Sequence, residues 1–248
     1  DPMAGIVWGN DTVTVDGGHV LKSVYGGGSI GSVGKILAKT EHYNEGVTLY
    51  DFGLSWPYAF SYEEDASSTG QNKVYTGGLA TVIIKNDAQI GSYVFGGPKG
   101  AVDVGTDNID RQRYIEAELA NVREAQVTIG TTSGSQPTIG NSVYGGGDNG
   151  HVYQNATVTI NGGAIAHSVF GGGKGEGKFK TTLWDPNNAT EGQPKASPDS
   201  VYSWTAGRVY GNATVTMNGG TVGWFIYGGG NLGSVGKGNY SGGFDDYS

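Results

Sequence analysis

Short runs of alternating β-branched residues recur along the chain and predict its strands. The runs TVTVD, TVIIK, QVTIG, TVTIN and TVTMN begin at residues 12, 81, 126, 157 and 214. Side chains at every second position of a strand share one face, so the apolar members of each run should point to one side. This inward set is Val13/Val15, Val82/Ile84, Val127/Ile129, Val158/Ile160 and Val215/Met217.

Each run belongs to a longer repeat. Residues 152–173 (VYQNATVTINGGAIAHSVFGGG) align with residues 209–230 (VYGNATVTMNGGTVGWFIYGGG), a third copy covers 7–28, and two degenerate copies cover 81–97 and 126–147. One unit cannot bury its own apolar face, but stacked units can. The sequence therefore predicts an all-β fold, a β-solenoid in the form of a right-handed parallel β-helix with about five coils. The structural alternative is an antiparallel meander that forms a sandwich or a propeller-like array.

Uneven spacing between the copies predicts three insertions in a single repeat domain, residues 1–248. They span about 35–73, 99–125 and 174–206. Each follows a glycine run, so all three should emerge at one corner of the solenoid and could build a binding surface there. In the second insertion we expect a short amphipathic helix, with Ile115, Leu119 and Val122 on one face and Asp107 or Asn108 as its cap.

Glycine accounts for 47 of the 248 residues, against a usual ~7%. The spacing G-x-G-x-x-G occurs three times, for example in VYGGGDNG at 143–150. A dinucleotide-binding fold needs this spacing once, at the start of a helix, whereas turn and strand sequences follow here. We therefore expect these glycines at positions where side chains would collide between stacked coils.

Charge and composition remove several classes of partner. The net charge is −8 and the basic residues are scattered, which argues against nucleic acid. Cysteine is absent, so disulfides and thiolate metal sites are excluded, and no apolar run is long enough to span a bilayer. No cofactor is expected beyond a possible calcium ion at Asp148 and Asn149, whose oxygen atoms lie on a tight turn.

Aromatic residues of the insertions are the candidate ligand-binding residues, since a flat ring can cover the face of a sugar. They are Trp56 and Tyr58 in the first insertion and Trp184 and Trp204 in the third. The candidate partners are a glycan and a host or cell-surface protein. The aromatic residues that precede the glycine triplets should instead stack as a structural ladder, formed by Tyr25, Phe95, Tyr144, Phe170 and Tyr227.

No catalytic residue can be assigned. The repeats place threonine, asparagine and glycine where solenoid polysaccharide lyases and hydrolases bring acids and bases together. The acids Asp51, Glu63, Glu64 and Asp65 lie in the first insertion, where a carboxylate pair for glycoside cleavage would have to form. We therefore expect a non-enzymatic protein, with a polysaccharide lyase or hydrolase as the minority interpretation.

The repeat unit and the run NLGSVGKGNYSGGFDDYS (231–248) resemble glycine-rich β-strand-repeat proteins. These are secreted or surface proteins of gut Bacteroidota with a pectate-lyase-like β-helix, and the resemblance covers the five repeats. It implies an extracellular, cell-surface location and a scaffold or adhesin-like role, and it supplies no catalytic residue. It also implies a segment of a longer array. Open coil edges could pair end to end, which gives a self-assembling filament or array subunit as an alternative function.

Overall fold

The computed structural model describes residues 5–34, 36–37, 61–62, 64–70, 74–100, 120–175, 178–180, 200–202 and 206–236. Across these residues the protein is all-β, without a helix, and its strands form stacked sheets. Three sheets have five strands each, and every neighbouring pair in them is parallel. The antiparallel meander is therefore wrong. Below, one passage of the chain through these three sheets is called a coil.

The long sheet contains the alternating β-branched runs in register. Val158 lies between Val127 and Val215 of the neighbouring strands, and Thr159 lies between Thr128 and Thr216. The predicted inward positions of the second, third and fourth coils are buried. In spatial order the strands are β1 (Asp11–Asp16), β6 (Leu79–Lys85), β10 (Glu124–Ile129), β14 (Ala156–Ile160) and β19 (Ala213–Met217).

Glycine turns lead from the long sheet to two sheets of short strands. In the first coil, φ is 90° at Gly17 and 81° at Gly18, and residues other than glycine rarely adopt such backbone angles. The middle sheet contains β2 (His19–Val20), β7 (Gln89–Ile90), β11 (Thr138–Ile139), β15 (Ala164–Ile165) and β20 (Thr221–Val222). The aromatic sheet contains β3 (Val24–Tyr25), β8 (Val94–Phe95), β12 (Val143–Tyr144), β16 (Val169–Phe170) and β21 (Ile226–Tyr227).

A ladder of valines precedes the long sheet. Its parallel pairings connect Val7, Val33, Val122, Val152, Val209 and Val235. Strands β9 (Asn121–Val122) and β13 (His151–Val152) belong to it. The expected helix face is therefore wrong at Val122, because this residue lies in a strand and is fully buried. The other helix residues, Ile115, Leu119, Asp107 and Asn108, lie outside the described residues.

Inward side chains form two apolar clusters. The larger cluster takes residues from all three main sheets, such as Val82, Ile90 and Val94. The smaller cluster packs the valine ladder against small residues of the long sheet, among them Ala125 and Ala156. Because each coil buries its apolar side chains against the next, the stack rather than the single unit is the stable body.

The glycine triplets lie where neighbouring coils approach closely. A Cβ atom at Gly145 would collide with the carbonyl oxygen of Gly171 in the next coil, and one at Gly171 would collide with that of Gly228. The prediction for the glycines of VYGGGDNG is confirmed. At Gly228, in the last coil, a Cβ atom would have no neighbour within 4 Å.

Two antiparallel pairs lie within the insertions. In the first insertion, β4 (Ile36–Leu37) pairs with β5 (Ser61–Tyr62). In the third, β17 (Lys178–Lys180) pairs with β18 (Ser200–Tyr202). These pairs bring the two arms of each insertion together close to the point where the chain leaves the coil.

Candidate functional site

The predicted aromatic ladder is present on the outer side of the aromatic sheet. Adjacent rings are parallel to within 4–14°, with centroids 4.8–5.0 Å apart, in the order Tyr25, Phe95, Tyr144, Phe170, Tyr227. Parallel pairing of the strands fixes this spacing, because residues in register on neighbouring strands lie one strand spacing apart. Phe95 is fully buried, whereas Tyr227 is 43% exposed.

A cleft of about 320 Å³ opens beside the ladder on the same surface. The column of residues two positions before the ladder reads Ser23, Tyr93, Ser142, Ser168 and Phe225 in successive coils. All of them except Ser23 line the cleft. Two large rings in this column are thus separated by two small serines. The backbone N–H of Ser168 donates to Oγ of Ser142 at 3.2 Å, which holds the serines at the floor.

Aromatic rings form the C-terminal wall of the cleft. The next column outward places His167 beside Trp224, and their rings stack at 4.4 Å between centroids with an interplanar angle of 7°. Phe225 is tilted by 52° from the ring of Tyr227, at 5.8 Å. Trp224 is 64% exposed, so a large aromatic surface on this wall faces solvent.

Polar groups on the rim of the cleft are uncharged or cationic. Nζ of Lys174 lies 4.8 Å from the centroid of the Tyr93 ring, a distance typical of a cation–π contact. Nδ2 of Asn231 donates to the hydroxyl of Tyr144 at 3.4 Å, and Oδ1 of Asn141 accepts from Ser142. Among the described residues that line the cleft there is no aspartate or glutamate, and hence no carboxylate pair of the kind that glycoside hydrolysis uses.

Sequence reasoning missed the cleft residues Tyr93, His167, Trp224 and Phe225. It placed ligand binding in the insertions and treated the neighbouring ladder as structural. Aligning the copies on the buried residue before each ladder ring would have found two of them, because Tyr93 and Phe225 then stand out in a column of serines.

The four aromatic residues predicted to bind a ligand, Trp56, Tyr58, Trp184 and Trp204, lie outside the described residues. Their role stays a prediction. The structure describes the coil up to Gly34, Gly100 and Gly175 and again from Val74, Ala120 and Ala206. Lys99 and Lys174, at the predicted starts of two insertions, still belong to the coil, where their backbones pair with that of Asp148.

Asp148, one of the two predicted calcium ligands, has a protein partner. Its Oδ2 accepts a hydrogen bond from the hydroxyl of Tyr25 at 3.1 Å, and its Oδ1 lies 3.4 Å from Nδ2 of Asn149. Burial, together with the charge and hydrogen bond of Asp148, raises the pKa of Tyr25 to about 12. Within the described part of the chain, no group of three or more acidic or histidine side chains is arranged to hold a metal ion.

The acids of the first insertion provide no described carboxylate pair. Asp51 and Glu63 lie outside the described residues, and the backbone of Glu64 forms an antiparallel bridge with Tyr75. Asp65 accepts a hydrogen bond from the backbone N–H of Ser67 at 2.8 Å, which lowers the pKa of its carboxyl. Such a bond is typical of an aspartate that caps a turn.

In the described segments, no helix has the length and apolar character needed to cross a membrane. A scan against family models finds no match to this chain. Searches of curated proteins and of solved structures likewise find none.

Proposed function

We propose that the protein is a non-enzymatic extracellular scaffold, a right-handed parallel β-helix that displays insertions for contact with a glycan or a surface protein. Right-handedness is supported by the general rule that about 98% of parallel strand crossovers have this hand. The cell-surface location is supported by the resemblance of the repeats to glycine-rich β-strand-repeat proteins.

The observation that carries this proposal is that the coils keep their register across the insertions. In the fourth coil only three residues, Asn149, Gly150 and His151, connect Asp148 to Val152. In the fifth coil the equivalent connection is much longer and runs from Lys174 to Val209. Its ends nevertheless pair with the ends of the short connection, Lys174 with Asp148 and Val209 with Val152. A coil that accepts a connection of either length is a platform on which the insertions can vary without disturbing the core.

Replacing the insertions by the short connection tests this proposal. One variant replaces residues 175–208 by Asn-Gly-His, and another replaces residues 100–121 by the same tripeptide. We expect both variants to unfold at nearly the wild-type temperature, because shortening a surface loop changes its closure entropy only slightly. Binding to at least one glycan of an array, or to intact cells, should be lost in at least one of them. Wild-type binding by both variants, and by one that also lacks the first insertion, would refute display by the insertions.

A second candidate function is end-to-end assembly, which the exposure of inward residues in the last described coil favours. Met217 and Ile226 point inward but are 41% and 46% exposed, whereas Ile160 and Val169 of the preceding coil are fully buried. The first strand, DTVTVD, repeats the Thr-Val alternation of the last, ATVTM. We infer that β1 of a second copy could pair with β19 and continue the long sheet.

Gly228→Ala tests the assembly without disturbing the monomer. Its Cβ has open space, but at the equivalent positions of the earlier coils a Cβ would strike the next coil. We expect sedimentation velocity to show concentration-dependent oligomers for the wild type and monomers for Gly228→Ala, at an unchanged unfolding temperature. Monomeric wild-type protein at high concentration would rule out this assembly.

A further inference from the structure

We propose that the cleft lined by Tyr93, His167, Trp224 and Phe225 binds a pyranose ring of an acidic glycan. The inference deepens the proposed function, on which it rests for the choice of a glycan as ligand. It places a binding site on the coil itself, in addition to the surface that the insertions present.

The cleft has a size that suits one sugar ring. Tyr93 and Phe225 lie in the second and fifth coils, three coil steps apart. At a strand spacing of about 4.8 Å, their backbones are roughly 14 Å apart. Because Ser142 and Ser168 occupy the two coils between them, the gap is bounded by rings at its ends and has hydroxyl groups at its floor.

The chemistry of the lining fits a pyranose. Sugar rings combine apolar C–H faces with hydroxyl edges, so they need aromatic surface next to hydrogen-bonding groups. The rings of Trp224 and Phe225 supply the exposed aromatic surface, which contributes large contact area at low conformational cost. The amides of Asn141 and Asn231 stand on the rim.

The charge of the lining favours an acidic sugar. Lys174 stands over the ring of Tyr93. The lining residues that the structure describes include no acid, although the whole chain has a net charge of −8. An ammonium group attracts a carboxylate strongly where water is partly excluded. A hexuronate could place its ring against the aromatic wall and its carboxylate toward Lys174.

The cleft is not merely a consequence of the open end of the stack. Tyr93 and Lys174 belong to inner coils, which have a neighbouring coil on each side, and they form the wall opposite Trp224. A stacked second copy would cover the inward residues Met217 and Ile226 and also the exposed rings of Trp224 and Phe225. Binding in the cleft requires in addition Tyr93 and Lys174, which stacking at the end does not involve.

Titration with hexagalacturonate and with uncharged cellohexaose, followed by calorimetry, tests the proposal. Trp224→Ala should weaken hexagalacturonate binding by about tenfold or more, as truncating a central aromatic contact usually does. Ser168→Phe should weaken it similarly by filling the gap. Trp8→Ala, which removes an exposed tryptophan of the first coil, is the matched control and should bind as the wild type does. Lys174→Gln should lower affinity for hexagalacturonate but not for cellohexaose.

Each other outcome overturns the proposal. Full affinity in Trp224→Ala and Ser168→Phe would remove the cleft as the site, and binding of cellohexaose alone would refute the acidic ligand. Binding of neither probe would refute a pyranose site. If Trp224→Ala only converted oligomers into monomers, the surface would belong to a contact between copies. A variant without the first insertion, residues 35–73, should keep its hexagalacturonate affinity. This variant tests binding through the insertion independently of binding in the cleft.

Discussion

The fourth and fifth coils have nearly the same sequence but different surroundings. Their long strands read ATVTI and ATVTM, and both continue through a glycine turn to a short aromatic strand. Ile160 of the fourth coil is fully buried, while Met217 at the same position of the fifth is 41% exposed. The difference teaches that burial in this fold comes from the neighbouring coil, because one repeat supplies only half of each contact.

The glycines of the two coils differ in the same way. At Gly171 a Cβ atom would meet the backbone of the fifth coil, whereas at Gly228 it would meet open space. The same glycine is therefore required in one coil and replaceable in the other. Substitutions should destabilise coils that have a neighbour on both sides more than the last coil, which has one.

The largest difference is expected between Gly145→Ala and Gly228→Ala. In the third coil the added methyl group strikes a backbone carbonyl that is held by the sheet, so we expect Gly145→Ala to destabilise the protein by about 3 kcal/mol or more. Gly228→Ala should change the free energy of unfolding by less than about 0.5 kcal/mol. Urea denaturation followed by circular dichroism measures both. Equal effects would show that the close approach of the coils is not what constrains these glycines.

Truncation of the core should give the next largest contrast. Ile160→Ala leaves a cavity between two neighbouring coils and should cost about 2–5 kcal/mol. Met217→Ala removes a side chain that has a coil on one side only, so its cost should stay below about 1.5 kcal/mol. The same denaturation experiment tests the pair, and a larger loss for Met217→Ala would mean that the last coil is covered in solution.

The aromatic ladder offers a smaller contrast of the same kind. Phe95 stacks on two rings, those of Tyr25 and Tyr144, while Tyr227 stacks on Phe170 at the end of the ladder. Replacing each by leucine keeps an apolar side chain and removes the stacking. With about 0.5–1.5 kcal/mol per ring pair, Phe95→Leu should cost about 1–3 kcal/mol and Tyr227→Leu about half as much. Thermal unfolding of both variants measures the two losses, and a larger loss for Tyr227→Leu would contradict stacking as the source of this stability.

The repeat predicted the long sheet, its inward residues and the aromatic ladder, because those features recur within each copy. The valine ladder was not predictable in full, since Val33 and Val235 are single residues outside the alternating runs and Val122 follows a segment with helical periodicity. The cleft was missed for a different reason. Tyr93 and Phe225 are far apart in sequence, and only the parallel register of the aromatic sheet places them in one column, on either side of Ser142 and Ser168.

The two ends of the ladder provide the most subtle test. Tyr25, like Tyr227, ends the stack, but its hydroxyl donates a hydrogen bond to Asp148. Burial, and to a lesser extent the carboxylate of Asp148, raises the pKa of Tyr25 to about 12. Because the folded state favours the neutral phenol, the raised pKa of Tyr25 contributes to the free energy of unfolding. This contribution is complete below pH ~10 and is lost as the pH rises toward ~12. Burial also raises the pKa of Tyr153, so the ultraviolet absorbance of phenolate should show late titration that is reduced by one group in Tyr25→Phe. In Asp148→Asn this group should titrate earlier, though still above a free tyrosine, because burial is the larger cause of the shift. An unchanged titration in Tyr25→Phe would show that the ladder does not hold this phenol away from water.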